Sequence, residues 1–140
     1  MTPDELAIRL ERAPIGPAQD RLLRQVAAVV KAHVVAETPA RTGNLRARTE
    51  VYYMGDEAHI TNSAPYAGYV LNGTGPHTIL PRTMRALAWP TAGGMAFAHS
   101  VNHPGTAPND FFSAGLAAAE GDIARVEDTF GAEFWAMVLK

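Results

Sequence analysis

At 140 residues the chain is long enough for one hydrophobic core. Its 47% apolar and 19% charged content excludes a disordered or fibrous chain. It has no cysteine, which excludes a disulfide framework, thiolate zinc sites and a cysteine nucleophile, and its net charge of −2 argues against a dedicated DNA-coating protein.

Taken in chain order, Thr2, Pro3 and Glu5 form a helix start, with Thr2 as cap, Pro3 in the first helical position and Glu5 closing a capping box. The acidic opening is unlike a secretory signal, and no apolar run approaches the ~18–20 residues needed to cross a bilayer. The expectation is a soluble chain made in the cytoplasm. A short helix to Arg12 is followed by breakers at Pro14, Gly16 and Pro17, then by a helix over 17–37. Leu22, Leu23, Val26, Val29, Val30 and Val34 give that helix an apolar stripe, with His33 at its edge as a packing residue. Thr38-Pro39 ends it.

Arg41-Thr42-Gly43-Asn44 is turn chemistry. Alternation over 46–54 predicts a half-buried strand, with Ala47, Thr49, Val51 and Tyr53 on one face. Gly55-Asp56-Glu57 turns the chain into a second strand over 58–62. A short helix over 65–72 stops at Gly73, and Tyr66 and Tyr69 would anchor it onto the sheet. Strands follow over 77–80, 86–89 and 95–101, the last with Met95, Phe97, His99 and Val101 on one side. Asp110 caps a final helix striped by Phe112, Leu116, Ala119, Ile123, Val126, Phe130, Phe134 and Met137. Gly115, Gly121 and Gly131 each weaken it by about 1 kcal/mol relative to Ala, and a bend or break is expected at one of them.

The order of elements predicts an α+β fold: a mostly antiparallel sheet packed against a long N-terminal helix and a C-terminal helix. A single domain is expected over 1–140, with a helical arm at 1–16, a core at 17–126 and an apolar helix end at 127–140.

Charge is distributed unevenly along the chain. Residues 1–57 hold eight acids and eight bases, and residues 110–140 hold six acids against Arg125 and Lys140. Between them, residues 58–109 contain no Asp or Glu, only Arg82, Arg85 and four histidines. Hard-cation sites and paired-carboxylate hydrolysis need acids that this stretch does not supply. Sheet and loop composition accounts for such a stretch; so does a mildly cationic surface that meets an acidic neighbour.

His99 and His103 lie four apart, a zinc-like spacing on a helix, but here they precede Pro104-Gly105 in a strand-to-loop stretch. No Gly-x-Ser-x-Gly elbow surrounds a serine, and neither Gly73-Thr74-Gly75 nor Gly93-Gly94 continues into a phosphate-binding pattern. No catalytic, cofactor-binding or metal residue is therefore assigned. Arg41, Arg46 and Arg48 form a basic cluster, either a solvated loop and strand face or a contact with an acidic neighbour or nucleic acid. The terminal run from Phe134 and Trp135 through Val138 to Leu139 is apolar nearly all round, so it either folds back or meets another subunit.

Four blocks in register resemble the tail-component proteins of long-tailed bacteriophages. The first is Thr38-Pro39-Ala40-Arg41-Thr42-Gly43-Asn44-Leu45-Arg46, similar to a P…TG-x-L-R signature. The second is Pro65-Tyr66-Ala67 leading to Asn72-Gly73-Thr74, and the third is Leu80-Pro81-Arg82 with Ala86-Leu87. The last is His103-Pro104-Gly105-Thr106, leading to Phe111-Phe112. The resemblance spans about residues 17–125. Arg48 stands near a place where the family often has Ser, and Leu71-Asn72 where it often has Glu.

The resemblance implies a structural virion protein: a ring of six copies at the head–tail junction, completing the tail or joining it to the head. It implies head-closure and tail-terminator or tail-tube proteins as neighbours, and DNA passing through the lumen without specific binding. No enzyme activity, cofactor or membrane contact follows from it. Arg82, Arg85, Phe134, Trp135 and Val138 are the candidate subunit contacts. The alternatives are a tail-terminator role, a small metal-dependent hydrolase using His99 and His103, and a DNA-binding module around Arg41, Arg46 and Arg48.

Overall fold

A computed structural model describes residues 1–140. The chain is mixed α and antiparallel β, and it forms two compact units. Residues 1–64 and 111–140 make the first, and residues 65–110 make the second.

In the first unit, helix α1 (Pro3–Arg12) starts with the expected capping box: the Thr2 hydroxyl accepts from the Glu5 amide, and the Glu5 carboxylate accepts from the Thr2 amide. Helix α2 (Ile15–Glu37) begins two residues earlier than expected, because Gly16 and Pro17 fit within its first turn, where amides need no partner. It ends at Thr38, which is fully buried and whose hydroxyl donates to the Val34 carbonyl at 2.6 Å.

The strand expected from Arg46 starts three residues late. A four-residue helix, α3 (Asn44–Ala47), precedes strand β1 (Thr49–Met54). The alternating pattern survives from Thr49 onward, with Thr49, Val51 and Tyr53 inward and Glu50, Tyr52 and Met54 exposed. Strand β2 (Glu57–Asn62) pairs with β1 in antiparallel register from Thr49↔Asn62 to Met54↔Glu57, and the hairpin packs on α2. The Arg24 guanidinium lies 4.2 Å from the Tyr53 ring centre, closing one end of that contact.

The second unit begins with helix α4 (Ala67–Asn72), which stops at Gly73 as expected. Strands β3 (His77–Ile79), β4 (Leu87–Thr91), β5 (Gly94–Ala98) and β6 (Val101–His103) form two antiparallel pairs, β3 with β6 and β4 with β5. The β strands therefore make three two-stranded sheets instead of one continuous sheet. The strand expected over 95–101 is interrupted at His99-Ser100, where the His99 ring bonds the Arg85 carbonyl at 2.9 Å and the chain leaves the ladder. Tyr66 and Tyr69, expected to anchor α4, are 41% and 67% exposed, and the buried residue of that helix is Ala67.

Helix α5 (Phe111–Val138) returns to the first unit and packs along α2. It is continuous through all three glycines, so of the expected bend or break there is no break. Its buried residues are Phe111, Gly115, Ala119 and Val138, and Gly115 lies against Val34 of α2, where the missing side chain lets the two helices approach closely. Leu116 and Met137, expected on the buried stripe, are 52% and 43% exposed.

Candidate functional site

The first motif block is an end-cap for α2. Gly43 takes φ +80, a left-handed conformation that favours glycine, and turns the chain into α3. That turn buries Leu45 and aims Arg46 back at the helix it follows. The Arg46 Nε donates to the Thr38 carbonyl at 2.8 Å, and its Nη2 to the Ala36 carbonyl at 3.3 Å. These are last-turn carbonyls without helical partners, at the negative end of the helix dipole. Thr42 contributes a weak contact at 3.4 Å from the Asn44 amide.

Asn62, which no motif pointed to, completes the arrangement. Its side-chain nitrogen donates to the Leu45 carbonyl at 2.6 Å and to the Thr49 hydroxyl at 3.3 Å, while its oxygen accepts from the Ala64 amide. The signal was weak because a strand-end Asn reads as ordinary turn chemistry.

The second and fourth blocks meet each other. Thr74 and Thr106 exchange both backbone hydrogen bonds, at 2.9 and 3.0 Å, and the Thr74 hydroxyl also accepts from the Thr106 amide. This bridge continues the β3–β6 register beyond His77↔His103. Gly73 (φ +72) and Gly105 (φ +90) flank it, and a Cβ on either would collide with backbone of the opposite segment. His103 Nδ1 accepts from the Gly105 amide at 3.0 Å, and its ring sits 5.0 Å from that of His77. Pro104 lies within this turn, and the Phe112 ring packs at a tilt against the fully buried Phe111, 4.8 Å between centroids. Pro81 and Arg82 of the third block lie in a bent segment between β3 and β4, where Arg82 is exposed.

The basic cluster separates on inspection. Arg46 is committed to the α2 terminus, and Arg48 Nε donates to Asn44 Oδ1 at 3.2 Å. Arg41 is exposed with no ion-pair partner, and Arg48 is exposed with only its Nε engaged. The zinc-like pair separates as well: His99 bonds the Arg85 carbonyl and His103 the Gly105 amide, and no three His, Asp or Glu side chains come together as a metal-ligand set. His33 bonds Asp122 across the α2–α5 contact at 2.6 Å, and Asp122 also pairs with Arg125. The expectation of a purely packing histidine missed this partner, which comes from a residue 89 positions away.

Among the candidate subunit contacts, Val138 packs within its own chain. It is 6% exposed, and its carbonyl accepts from Arg9 of α1, so the helix end folds back on its own chain. Phe134 is half-buried and stacked on Phe130 at 6.4 Å. Trp135 remains 48% exposed, edge-on to Phe134. Arg82 and Arg85 are exposed and pair with no carboxylate.

The β4–β5 hairpin exposes apolar side chains. Residues 86–109 carry no Asp, Glu, Lys or Arg. Leu87, Trp89, Ala96 and Ala98 share one face of the hairpin, and Ala88, Pro90, Met95 and Phe97 share the other. Trp89, Met95 and Phe97 are 38%, 56% and 69% exposed. The sheet has only these two strands, so both outer edges are open. Such a hairpin is marginal in water by itself, and open apolar edges invite pairing.

No protein-family model, curated protein or solved structure matches the chain. No helix is long and apolar enough to cross a membrane.

Proposed function

We propose that the chain is a structural subunit of the head–tail junction of a long-tailed bacteriophage. In this reading six copies close into a ring that completes the tail or joins it to the head. The observation that carries the reading is the uncharged β4–β5 hairpin, apolar on both faces and open at both edges. A monomer gains nothing from exposing Trp89, Met95 and Phe97, whereas a subunit gains a strand edge and an apolar contact for its neighbour.

The motif geometry supports the same reading. The blocks that resemble the tail-component family close turns and cap a helix. Motifs of that kind belong to a protein whose work is to hold a shape. Arg46, engaged on the α2 terminus, fits a lumen that lets DNA pass without specific binding. The neighbours in this reading are head-closure and tail-terminator or tail-tube proteins, and the place of action is the virion.

The test is electron microscopy of particles made from the source genome with this gene deleted. Full heads beside unattached tails support a joining or completing role, and tails of abnormal length support the tail-terminator role. Intact, infectious particles overturn the reading.

A further inference from the structure

The first unit contains a groove of about 490 Å³ whose floor is α2. Leu22, Leu23 and Val26 supply an apolar base. Asp56, in the β1–β2 turn, and Glu127, on α5, stand on its walls. No lysine, arginine or histidine lines it. Asp20, at its rim, is already paired with Arg24 at 3.0 Å, whereas Asp56 and Glu127 are exposed and have no cationic partner. The groove is therefore apolar at its base and carries two uncompensated negative charges on its walls.

The second unit carries the complementary shape of charge. The bent segment Leu80-Pro81-Arg82-Thr83-Met84-Arg85 belongs to no strand or helix, so its side chains are free to be presented. Leu80 and Met84 are 64% and 74% exposed, and Arg82 and Arg85 are exposed without an acid partner. Two apolar side chains and two unpaired guanidiniums answer an apolar floor and two unpaired carboxylates. No Asp or Glu lies within 58–109 to interfere.

We infer that residues 80–85 of one copy dock in the α2 groove of the next copy. This rests on the ring reading and deepens it by naming the contact. The two surfaces are different patches of one chain, so the contact is heterologous, which is the kind that propagates around a ring. Leu80 and Met84 cover Leu22, Leu23 and Val26, while Arg82 and Arg85 meet Asp56 and Glu127. Arginine suits that role, being weakly hydrated and able to grip a carboxylate with two parallel bonds.

Charge reversal on either side tests it. One variant carries Arg82→Glu and Arg85→Glu; the other carries Asp56→Arg and Glu127→Arg. All four positions are exposed and unpaired, and circular dichroism and urea melts check that both variants fold as the parent does. Self-association is read by native mass spectrometry and sedimentation velocity over a concentration series. Each variant alone is expected to weaken self-association by about tenfold or more. An equimolar mixture is expected to recover it, because each reversed segment then finds a reversed groove on the other variant. A chain carrying all four substitutions is expected to recover it alone.

Parent-like association of both single-side variants overturns the docking and leaves the ring reading standing. Recovery by the four-substitution chain without recovery in the mixture also overturns it, since the segment then sits in the groove of its own chain. A parent protein that stays monomeric at millimolar concentration overturns it as well, while the ring reading answers separately to the gene deletion.

Discussion

Helix α5 contains an internal experiment on three glycines. By helix propensity alone, Gly115→Ala, Gly121→Ala and Gly131→Ala should each stabilise the fold by about 1 kcal/mol. The structure separates them. Nothing lies within 4 Å of a Cβ built on Gly121 or Gly131. A Cβ on Gly115 would lie 2.5 Å from the Val34 Cα, 2.7 Å from its Cγ2 and 2.7 Å from its backbone nitrogen. Two of those atoms are backbone, so no rotamer change relieves the overlap, and the two helices must separate by about an ångström to restore ordinary contact. Overpacking of this kind costs roughly 1–3 kcal/mol, and a backbone clash belongs at the upper end. Set against the propensity gain, Gly115→Ala is expected to destabilise by about 2 kcal/mol. The two controls are expected to stabilise by about 1 kcal/mol each. Urea unfolding followed at 222 nm reads the differences, with the slope m unchanged between variants. A Gly115→Ala protein as stable as Gly121→Ala would refute the close α2–α5 approach on which the first unit is built.

Two further outcomes follow from the motif geometry. Arg46→Met removes the donors to the Thr38 and Ala36 carbonyls and is expected to cost about 1–2 kcal/mol, whereas Arg41→Met is expected to stay within about 0.5 kcal/mol of the parent in the same urea titration. Gly105→Ala drives a Cβ into the Thr74-Gly75 backbone and is expected to abolish hydrogen-exchange protection of the Thr74 and Thr106 amides while the α2 amides around Val34 keep theirs.

The Arg46 comparison shows why site assignment from sequence is harder than element assignment. Arg41, Arg46 and Arg48 are equivalent as letters: three guanidiniums within eight residues. They differ because the left-handed turn at Gly43 and the short helix after it point one of them at the end of α2 and another at Asn44. The same holds for the histidines. The spacing of His99 and His103 suggested a shared ligand, yet each ring is used by a different backbone group. His33 looked solitary, because its partner Asp122 lies on the far helix.

Errors in the elements themselves are also physical. The alternation over 46–54 was right from Thr49 and wrong before it, because Ala47 and Arg46 satisfy a strand pattern and a single helical turn equally well. The glycines of α5 suggested a break, since propensity counts their entropic cost without the packing that Gly115 makes possible. The tyrosines of α4 suggested anchors because large aromatic side chains are usually covered within their own domain. Here they remain exposed.

What the amino-acid order determined by itself is the set of local structures. The Thr2 capping box, the stop at Thr38-Pro39, the Gly55 turn, the inward face of β1 and the stop at Gly73 depend on residues within about four positions of one another. Neighbours that close meet in any compact arrangement of the chain, so their chemistry is legible in one dimension. What only the tertiary structure decided is which distant groups meet. Arg46 on the α2 terminus, Gly115 against Val34, Asp122 on His33 and the Thr74–Thr106 bridge each depend on where whole elements pack. So does the groove between α2, the Gly55-Asp56 turn and Glu127, since its walls come from three segments that are brought together only when the helices and the hairpin bury their shared apolar faces.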